Sequence, residues 1–459
     1  MLERIFKLSE HGTNVRTEIL AGITTFLTMA YILAVNPNIL GTVMDKGGVF
    51  MATAIASAIA TFIMAFLANY PIALSAGLGL NAYFAYTVCL GELGGAPNAF
   101  MICLTAVLVE GIIFILLSVV KAREALVNGI PKNLKNGISA GIGLFVAYIG
   151  LQSADIVKFT SSDDGSTSIG LGDFGTPEVA LALIGFVIIL ILTHYNVRGS
   201  VLIGILATWV LGMVAEKIGW YVVNPEAGVY SVFPDFSQGL QFSGLSKTAF
   251  KFDFAWAGEH IIQFIAIVFS FLYVDLFDTV GTVVGIADKA GLLDKDGKLP
   301  RVGRVLMSDA IGTTVGACLG TSTITSFVES SSGVAAGGRT GLTAATTGVM
   351  FILAIFLSPV FLAIPSFATA PALLYVGMLM VSSAKKISFD GDVADVAGAY
   401  MAMLMMPLTY SIANGIMFGI LTWVILRVFE GKAKTVGPVM WVVFALFVLR
   451  IITLITNFQ

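Results

Sequence analysis

Thr321-Ser-Thr-Ile-Thr-Ser-Phe-Val-Glu329-Ser-Ser-Ser-Gly333 is a polar stretch, as long as half a membrane helix, in a mostly apolar part of the chain. It carries a carboxylate at Glu329, and the two apolar runs before it carry Asp275, Asp278 and Asp309. Each carboxylate costs about 3 kcal/mol at the centre of a membrane helix, so four cost about 10 kcal/mol. Carboxylates at this depth usually mark a path for a substrate or a proton, and we expect such a path here.

The overall composition places this stretch in a membrane protein. The chain has 459 residues, of which 57% are hydrophobic and only 12% charged, and its mean hydropathy is +0.93. Soluble domains carry about 25% charged residues, so we predict a polytopic membrane protein in a lipid bilayer. The net charge is −3 and no basic cluster indicates nucleic-acid binding. The three cysteines lack Cys-x-x-Cys spacing, so we expect no metal site, and nothing in the sequence indicates a cofactor.

The apolar runs set the number of membrane spans. They have about the length that a bilayer requires, and lie near residues 18–36, 50–69, 72–90, 97–120, 134–152, 178–195, 200–217, 261–286, 304–320, 322–338, 341–361, 366–384, 396–411, 413–430 and 436–457. If the chain starts in the cytoplasm and crosses the membrane fourteen times, the basic residues between spans cluster on the cytoplasmic side. We therefore predict a multi-pass protein of the cell membrane with a cytoplasmic N-terminus. Whether residues 436–457 cross the membrane stays open.

The two halves of the chain resemble each other in three places. Residues 49–55 resemble 305–311, the Pro-x-x-Leu-x-x-Gly motif at 131–137 recurs at 371–377, and residues 200–206 resemble 415–421. The matches occur in the same order in each half. Seven spans followed by seven more place the second copy in the opposite orientation, which is typical of secondary transporters. We therefore predict an inverted repeat.

The third and tenth apolar runs are interrupted by glycine and serine. The third follows Pro71 and contains Gly77 and Gly79, and the tenth is the polar stretch quoted above. This composition disfavours a full helix, whereas the Ile, Val, Thr and Phe residues before the glycines favour a short extended piece. Irregular backbone at membrane depth must be buried in protein or line a cavity. We expect two half-helices with facing N-termini around a site for a polar planar ligand or an anion. Glycine-rich helix packing is the alternative, but it does not explain Glu329.

The carboxylates differ in what they indicate. Asp275 and Asp278 share one helix face, where two like charges favour keeping a proton on one of them. Glu329 can accept hydrogen bonds from ligand N–H groups. Asp309 either caps a helix or takes part in a proton relay, and Glu110 is interpreted as bonding a neighbouring helix.

Other polar and aromatic residues are weaker candidates for ligand contact. The Asn81 amide can meet the ligand. Phe84, Tyr83 and Phe327 can stack on a ring, although aromatic side chains in apolar runs more often pack. Thr28 belongs to a threonine stripe in the first run, which more often bonds a neighbouring helix than a ligand.

Five segments together carry a resemblance to a known family. The chain resembles nucleobase:cation symporter family 2, in its hypoxanthine/adenine/guanine permease branch. The resembling segments span nearly the whole chain and are Ala21-Gly-Ile-Thr-Thr-Phe-Leu-Thr-Met-Ala-Tyr-Ile-Leu-Ala-Val-Asn-Pro37, Gly77-Leu-Gly-Leu-Asn-Ala-Tyr-Phe-Ala-Tyr86, Leu151-Gln-Ser-Ala-Asp155-Ile-Val157, Asp275-Leu-Phe-Asp278-Thr-Val-Gly281-Thr282 and Met405-Met-Pro-Leu-Thr-Tyr-Ser-Ile-Ala-Asn-Gly415.

The resemblance implies an all-α polytopic fold with fourteen transmembrane segments in a 7+7 inverted repeat. It implies a core domain (1–130 and 261–362) and a gate domain (131–220 and 363–432), with an extracytoplasmic loop at 221–260 and a C-terminal apolar segment at 433–459. It also implies a homodimer and an elevator-type movement of the core.

The resemblance also implies site residues. By position, Asp275 and Glu329 bind the base, Asn81 adds a contact, and Asp278 is a candidate in proton coupling. The family's tenth-span motif is Gln/Glu-Asn-x-Gly, whereas this chain has Glu-Ser-Ser-Ser-Gly over 329–333. The extra residue makes Ser330 a second candidate for the contact that the family makes at this position.

The resulting prediction is a proton-driven importer of purine nucleobases (adenine, guanine, hypoxanthine or xanthine), with sodium the less favoured coupling ion. An anion transporter of the same inverted-repeat fold is the alternative, but buried carboxylates repel anions. An intramembrane enzyme that binds Mg²⁺ through clustered acids is disfavoured, because Asp275-x-x-Asp278 has no second aspartate-rich motif beside it and no His-Glu-x-x-His motif occurs. We therefore predict that the protein is not an enzyme.

Overall fold

The computed structural model describes residues 2–119, 131–161, 167–224, 229–237, 242–289 and 300–456, without a few side chains inside these ranges. Helices dominate, because a backbone in hydrocarbon must satisfy its own N–H and C=O groups. Within the described ranges, nine helices are long and apolar enough to cross a membrane, and three shorter apolar helices accompany them.

The first half of the chain contains the following elements in order. They are α1 (Leu2–Phe6), α2 (Val15–Met29), α3 (Ile32–Leu40), α4 (Lys46–Ile63), β1 (Leu74–Ala76), α5 (Leu78–Ala82), α6 (Ala99–Val119), α7 (Lys132–Ser153), β2 (Val157–Ser161), β3 (Thr167–Leu171), α8 (Pro177–His194), α9 (Ser200–Lys217) and α10 (Phe242–Thr248). A π-helical turn, Met64–Ala68, continues α4, and a longer one, Tyr83–Glu92, continues α5.

The second half repeats this order from α12 onward. Its elements are α11 (Phe254–Glu259), α12 (Ile261–Lys289), α13 (Val302–Leu319), β4 (Ile324–Ser326), α14 (Ser330–Ala335), α15 (Gly341–Ala354), α16 (Ser358–Ala363), α17 (Ser366–Val381), α18 (Val393–Leu408), α19 (Ile412–Phe429) and α20 (Pro438–Thr456).

The two interrupted runs form strands that pair with each other. β1 and β4 are antiparallel, with Leu74 opposite Ser326 and Ala76 opposite Ile324. The ladder extends at one end through a bond from the Gly77 amide to the Thr323 carbonyl (3.1 Å). All six strand residues are buried, so their backbone groups find partners in protein rather than lipid. The predicted short extended pieces are thus confirmed, and each leads into a short helix.

The first apolar run is also interrupted, which the sequence did not predict. α2 ends at Met29 and α3 begins at Ile32, so Ala30 and Tyr31 form a turn between them. Both residues are buried, with Tyr31 only 1% exposed. The turn therefore places the Tyr31 side chain inside the bundle.

A buried carboxylate anchors α2 to the start of α15. Glu18 is fully buried and accepts hydrogen bonds from the amides of Arg339 (2.8 Å) and Thr343 (3.1 Å) and from both hydroxyls of Thr340 (2.9 Å) and Thr343 (2.6 Å). The first turn of a helix has unpaired N–H groups and partial positive charge, which stabilise an anion there. Glu18 therefore fixes the position of α2 against the segment that follows α14.

The long helices pack in two sets. α2, α4, α6, α13 and α15 contact one another, and α7 packs against α17 and α18, with α19 against α18. Gly143 and Gly377 let α7 and α17 approach closely, because a Cβ at Gly143 would lie 2.7 Å from the Gly377 carbonyl oxygen. Small residues at such contacts are typical of membrane helix pairs. The paired strands lie in the first set.

The C-terminal helix α20 runs back along the bundle beside α12. The start of α19 lies beside the end of the third apolar run, because the Thr87 hydroxyl of that run donates to the carbonyl of Tyr410, just before α19 (2.8 Å). Arg450 of α20 donates to Glu92 (2.8 Å), at the end of that same run, and to Ser270 of α12 (2.6 Å). α19 therefore starts at this end of the bundle, and α20 returns to it.

Candidate functional site

A cluster of four oxygen-bearing side chains connects α12, α13 and β4. The Thr279 hydroxyl oxygen lies 3.1 Å from Asp275 Oδ1, 3.0 Å from Asp309 Oδ2 and 2.9 Å from Thr325 Oγ1. All four residues are buried. β4 places Thr325 against Thr279, which in turn contacts both aspartates. The structure therefore brings together two of the carboxylates that the sequence indicated.

Glu329 lies at the start of the half-helix α14 and contacts the turn in the first run. The Tyr31 hydroxyl donates to Glu329 Oε1 at 2.5 Å. Glu329 is partly exposed, whereas Tyr31 is buried. The Thr28 hydroxyl lies 3.4 Å from the Glu329 carbonyl oxygen, but it makes a shorter bond, 2.8 Å, to the carbonyl of Thr25 in its own helix. Thr28 thus mainly bonds the backbone of its own helix, whereas the Glu329 side chain is bonded by Tyr31.

The residues on either side of Glu329 hold the two strands together. The Ser330 hydroxyl accepts a bond from the Ala73 amide (3.0 Å), and the Phe327 amide donates to the Ala73 carbonyl (3.0 Å). Ser330 is fully buried, and Phe327 is 5% exposed. Ser330 is therefore engaged in connecting the two broken segments.

Asn81 lies in the other half-helix and bonds the segment before β4. Its Oδ1 accepts a hydrogen bond from the Ser322 hydroxyl, and the neighbouring Thr323 hydroxyl donates to Glu110 (3.0 Å). Asn81, Ser322 and Thr323 are fully buried. These contacts cross-link the two broken segments with α6, so both Asn81 and Glu110 have partners within the bundle.

The aromatic candidates and Asp278 complete the predicted set. Phe84 and Tyr83 are fully buried, and both contact the Phe271 ring edgewise. Their rings therefore pack against α12. The Asp278 side chain lies outside the described residues, and only its place in α12 is given.

The half-helix α14 packs tightly on α2 at Gly333, so we expect Gly333→Ala to destabilise the site. A Cβ there would overlap the Thr25 hydroxyl and lie 2.8 Å from the Ala21 carbonyl oxygen. Overpacking costs about 1–3 kcal/mol, so the melting temperature of the detergent-purified protein should fall. Gly303→Ala is the matched control, because its Cβ would meet no atom of the described residues within 4 Å. Equal melting temperatures for the two variants would contradict this packing argument.

Sequence reasoning missed three residues that the structure brings to the site. Thr279 lies four residues after Asp275, and Tyr31 lies three residues after Thr28. Residues at these spacings share one face of a helix, so the sequence could have identified both from their neighbouring candidates. Thr325 carried no comparable signal, because its place depends on the pairing of β1 with β4.

Comparison with known proteins supports the assignment of fold and family. The family model Xan_ur_permease, described as a permease family, matches residues 16–418. The guanine/hypoxanthine permease PbuO of Bacillus subtilis is 42% identical, covering 98% of this chain and 100% of the relative. The adenine permease AdeP of Escherichia coli is 38% identical, covering 98% and 96%.

A solved structure shows the same architecture. The transmembrane domain of the cyanobacterial bicarbonate transporter BicA superposes with a TM-score of 0.66 at 14% identity, covering 87% of this chain and 97% of that one. The predicted helical inverted-repeat fold is confirmed, while the count of fourteen spans stays a prediction. The protein is a multi-pass membrane protein, and its family and relatives are permeases rather than enzymes. With the family model matched over most of its length, the chain belongs to the Xan_ur_permease family of permeases, nucleobase:cation symporter family 2.

Proposed function

We propose that this protein imports purine nucleobases by proton symport. The observation that carries the proposal is the Glu329 carboxylate, which is partly exposed at the start of α14 and bonded by Tyr31 on one oxygen. A carboxylate accepts hydrogen bonds only, and purine bases present N–H donors in the plane of the ring. The names of the relatives, a guanine/hypoxanthine and an adenine permease, support the same substrate class.

Glu329, rather than Ser330, is our choice for the ligand contact in the tenth run. The Ser330 hydroxyl is buried and bonds the Ala73 amide, so it is already engaged. Asp275 and Asn81 complete the proposed binding set, with Phe84 and Phe327 as apolar walls. Thr28 is left out of this set, because its hydroxyl mainly bonds the Thr25 carbonyl of its own helix.

We assign the coupled proton to the carboxylates around Thr279. A hydroxyl donates one hydrogen and accepts others. If Thr279 donates to Asp275 and accepts from Thr325, the contact with Asp309 Oδ2 at 3.0 Å is a hydrogen bond only when Asp309 carries a proton. The same argument holds with the two aspartates exchanged. One proton shared between Asp275 and Asp309 therefore makes both contacts with Thr279 hydrogen bonds, and Asp278 follows Asp275 on α12.

The transport step follows from the two sets of helices. We propose that the set containing both broken segments is the moving core and that the set built on α7, α17, α18 and α19 is the gate. The core would carry base and proton past the gate of a homodimer in the cell membrane, with the N-terminus in the cytoplasm. An anion substrate is not favoured, because the buried carboxylates would repel it.

Uptake of labelled hypoxanthine by cells expressing the protein, in a host without its own purine permeases, tests this proposal. Excess unlabelled adenine, guanine or hypoxanthine should reduce uptake at least tenfold if bound at the same site, whereas uracil or bicarbonate should not. A protonophore should abolish accumulation. No hypoxanthine uptake, or competition by bicarbonate, would contradict the substrate class; a sodium requirement with protonophore insensitivity would contradict the coupling ion.

A further inference from the structure

We infer that Tyr31 is a positioning residue that sets the hydrogen-bonding state of Glu329 for the ligand. This inference rests on the proposed function, because it concerns how the same site recognises a base. Tyr31 is 1% exposed and lies in the turn between α2 and α3, 298 residues away from Glu329 in the sequence. The first apolar run thereby contributes to a site otherwise built from later segments.

The contact itself is short and its direction is determined by the donor. The two oxygens are 2.5 Å apart, within the range of O–H···O⁻ bonds to an ionised carboxylate. A tyrosine hydroxyl has one hydrogen, and in this bond it goes to Glu329 Oε1. Glu329 is thus held as a hydrogen-bond acceptor through Oε1, and Oε2 is its second acceptor oxygen.

The surroundings fix Tyr31 more firmly than Glu329. Tyr31 is buried, and α2 is anchored through Glu18 at the start of α15 and through the close approach at Gly333 of α14. Glu329, by contrast, is partly exposed and has several rotatable bonds. The bond therefore restricts the flexible carboxylate to one orientation before a ligand arrives, which lowers the entropy cost of binding.

This arrangement specifies what the ligand must offer. The proton of Tyr31 is used, so the Tyr31 oxygen and Glu329 Oε2 both act as acceptors. A ligand that meets them must present N–H groups, as the N–H edges of a purine base do. A carboxylate or bicarbonate ligand offers only acceptors and a negative charge toward them.

Tyr31→Phe removes the hydroxyl and keeps the ring, so it tests the inference directly. A hydrogen bond to a charged group contributes about 1.5–3 kcal/mol, so the KM for hypoxanthine should rise about tenfold to a hundredfold. The maximal rate should stay within about twofold, because the lost effect is on binding rather than on the transport step. Without ligand, the melting temperature of Tyr31→Phe should match that of the control variant Tyr70→Phe.

Tyr70→Phe is the matched control. Tyr70 is also buried, and its hydroxyl donates to the Pro300 carbonyl (2.6 Å), so the substitution removes one hydrogen bond of similar length elsewhere. We expect a KM close to that of the unmodified protein. p-Aminophenylalanine at position 31, which keeps the ring and restores a donor, should recover most of the affinity and also covers the case in which Tyr31→Phe folds poorly.

The outcomes separate this inference from the proposed function. An unchanged KM in a Tyr31→Phe protein that folds normally overturns the positioning role. A p-aminophenylalanine variant that folds but binds as weakly as Tyr31→Phe overturns it as well. If the unmodified protein itself takes up no hypoxanthine, the proposed function fails instead, before Tyr31 is tested.

Discussion

Replacing Glu329 with glutamine is expected to reduce hypoxanthine uptake at least about a hundredfold while membrane expression stays normal. The substitution removes the charge that accepts the Tyr31 bond and replaces one acceptor oxygen with a donor. A ligand N–H would then face an N–H of the glutamine amide, and a buried donor without an acceptor costs about 1–3 kcal/mol in addition to the lost charged bond. Together these effects reach the hundredfold range. The reduction is measured from initial rates of hypoxanthine uptake, normalised to the amount of protein at the cell surface.

Glu10→Gln is the matched control for this prediction. Glu10 pairs with Lys7 at the surface, and both side chains are more than half exposed. Such exposed ion pairs contribute little to the stability of the fold. Uptake by this variant should equal that of the unmodified protein. Normal uptake by Glu329→Gln would exclude Glu329 from the site and return Ser330 to consideration.

The extended pieces in the interrupted runs could be predicted because local composition determines them. Gly77 and Gly333 follow residues that favour strands, and the backbone of each segment needs partners at membrane depth. The pairing of the two segments with each other was not predicted. The register, with Leu74 opposite Ser326, was beyond the sequence, since it depends on side-chain packing across the bundle.

The contacts that complete the site could not be predicted in the same way. Tyr31 and Glu329 are 298 residues apart, and the turn that brings Tyr31 inward interrupts an apolar run without proline or glycine at the break. Ala30 and Tyr31 are compatible with a continuous helix, so tertiary packing decides the local structure there. Glu18 is similar, because its burial depends on the helix start at Thr340.

The carboxylates illustrate which part of a site is visible in sequence. Their energetic cost in hydrocarbon identified Asp275, Asp309 and Glu329 as functional candidates without any knowledge of contacts. It could not distinguish the ligand contact from the proton site. In the structure these residues have different partners, since Thr279 connects Asp275 and Asp309, whereas Glu329 is bonded by Tyr31. This difference in partners is the basis of the proposed assignment.

Asp309→Asn should uncouple hypoxanthine transport from the proton gradient. An asparagine amide can donate to the Thr279 oxygen at all times, so it imitates a permanently protonated aspartate. The cluster around Thr279 would then be satisfied without taking up a proton. We expect energised cells to accumulate hypoxanthine no further than cells treated with a protonophore, while exchange of labelled for unlabelled hypoxanthine across the membrane continues.

Comparing exchange with accumulation makes this prediction specific to coupling. A variant that merely misfolds loses both, and a variant with a damaged base site also loses both. Ser308→Ala is the control, because the Ser308 hydroxyl is equally buried in α13 but, within the described part of the chain, bonds only the Arg304 carbonyl of its own helix (2.9 Å). Accumulation by Asp309→Asn that equals the control and still collapses with a protonophore would place the coupled proton elsewhere. Asp278, one helical turn from Asp275, would then be the residue to test, since it is the remaining carboxylate of the pair on α12.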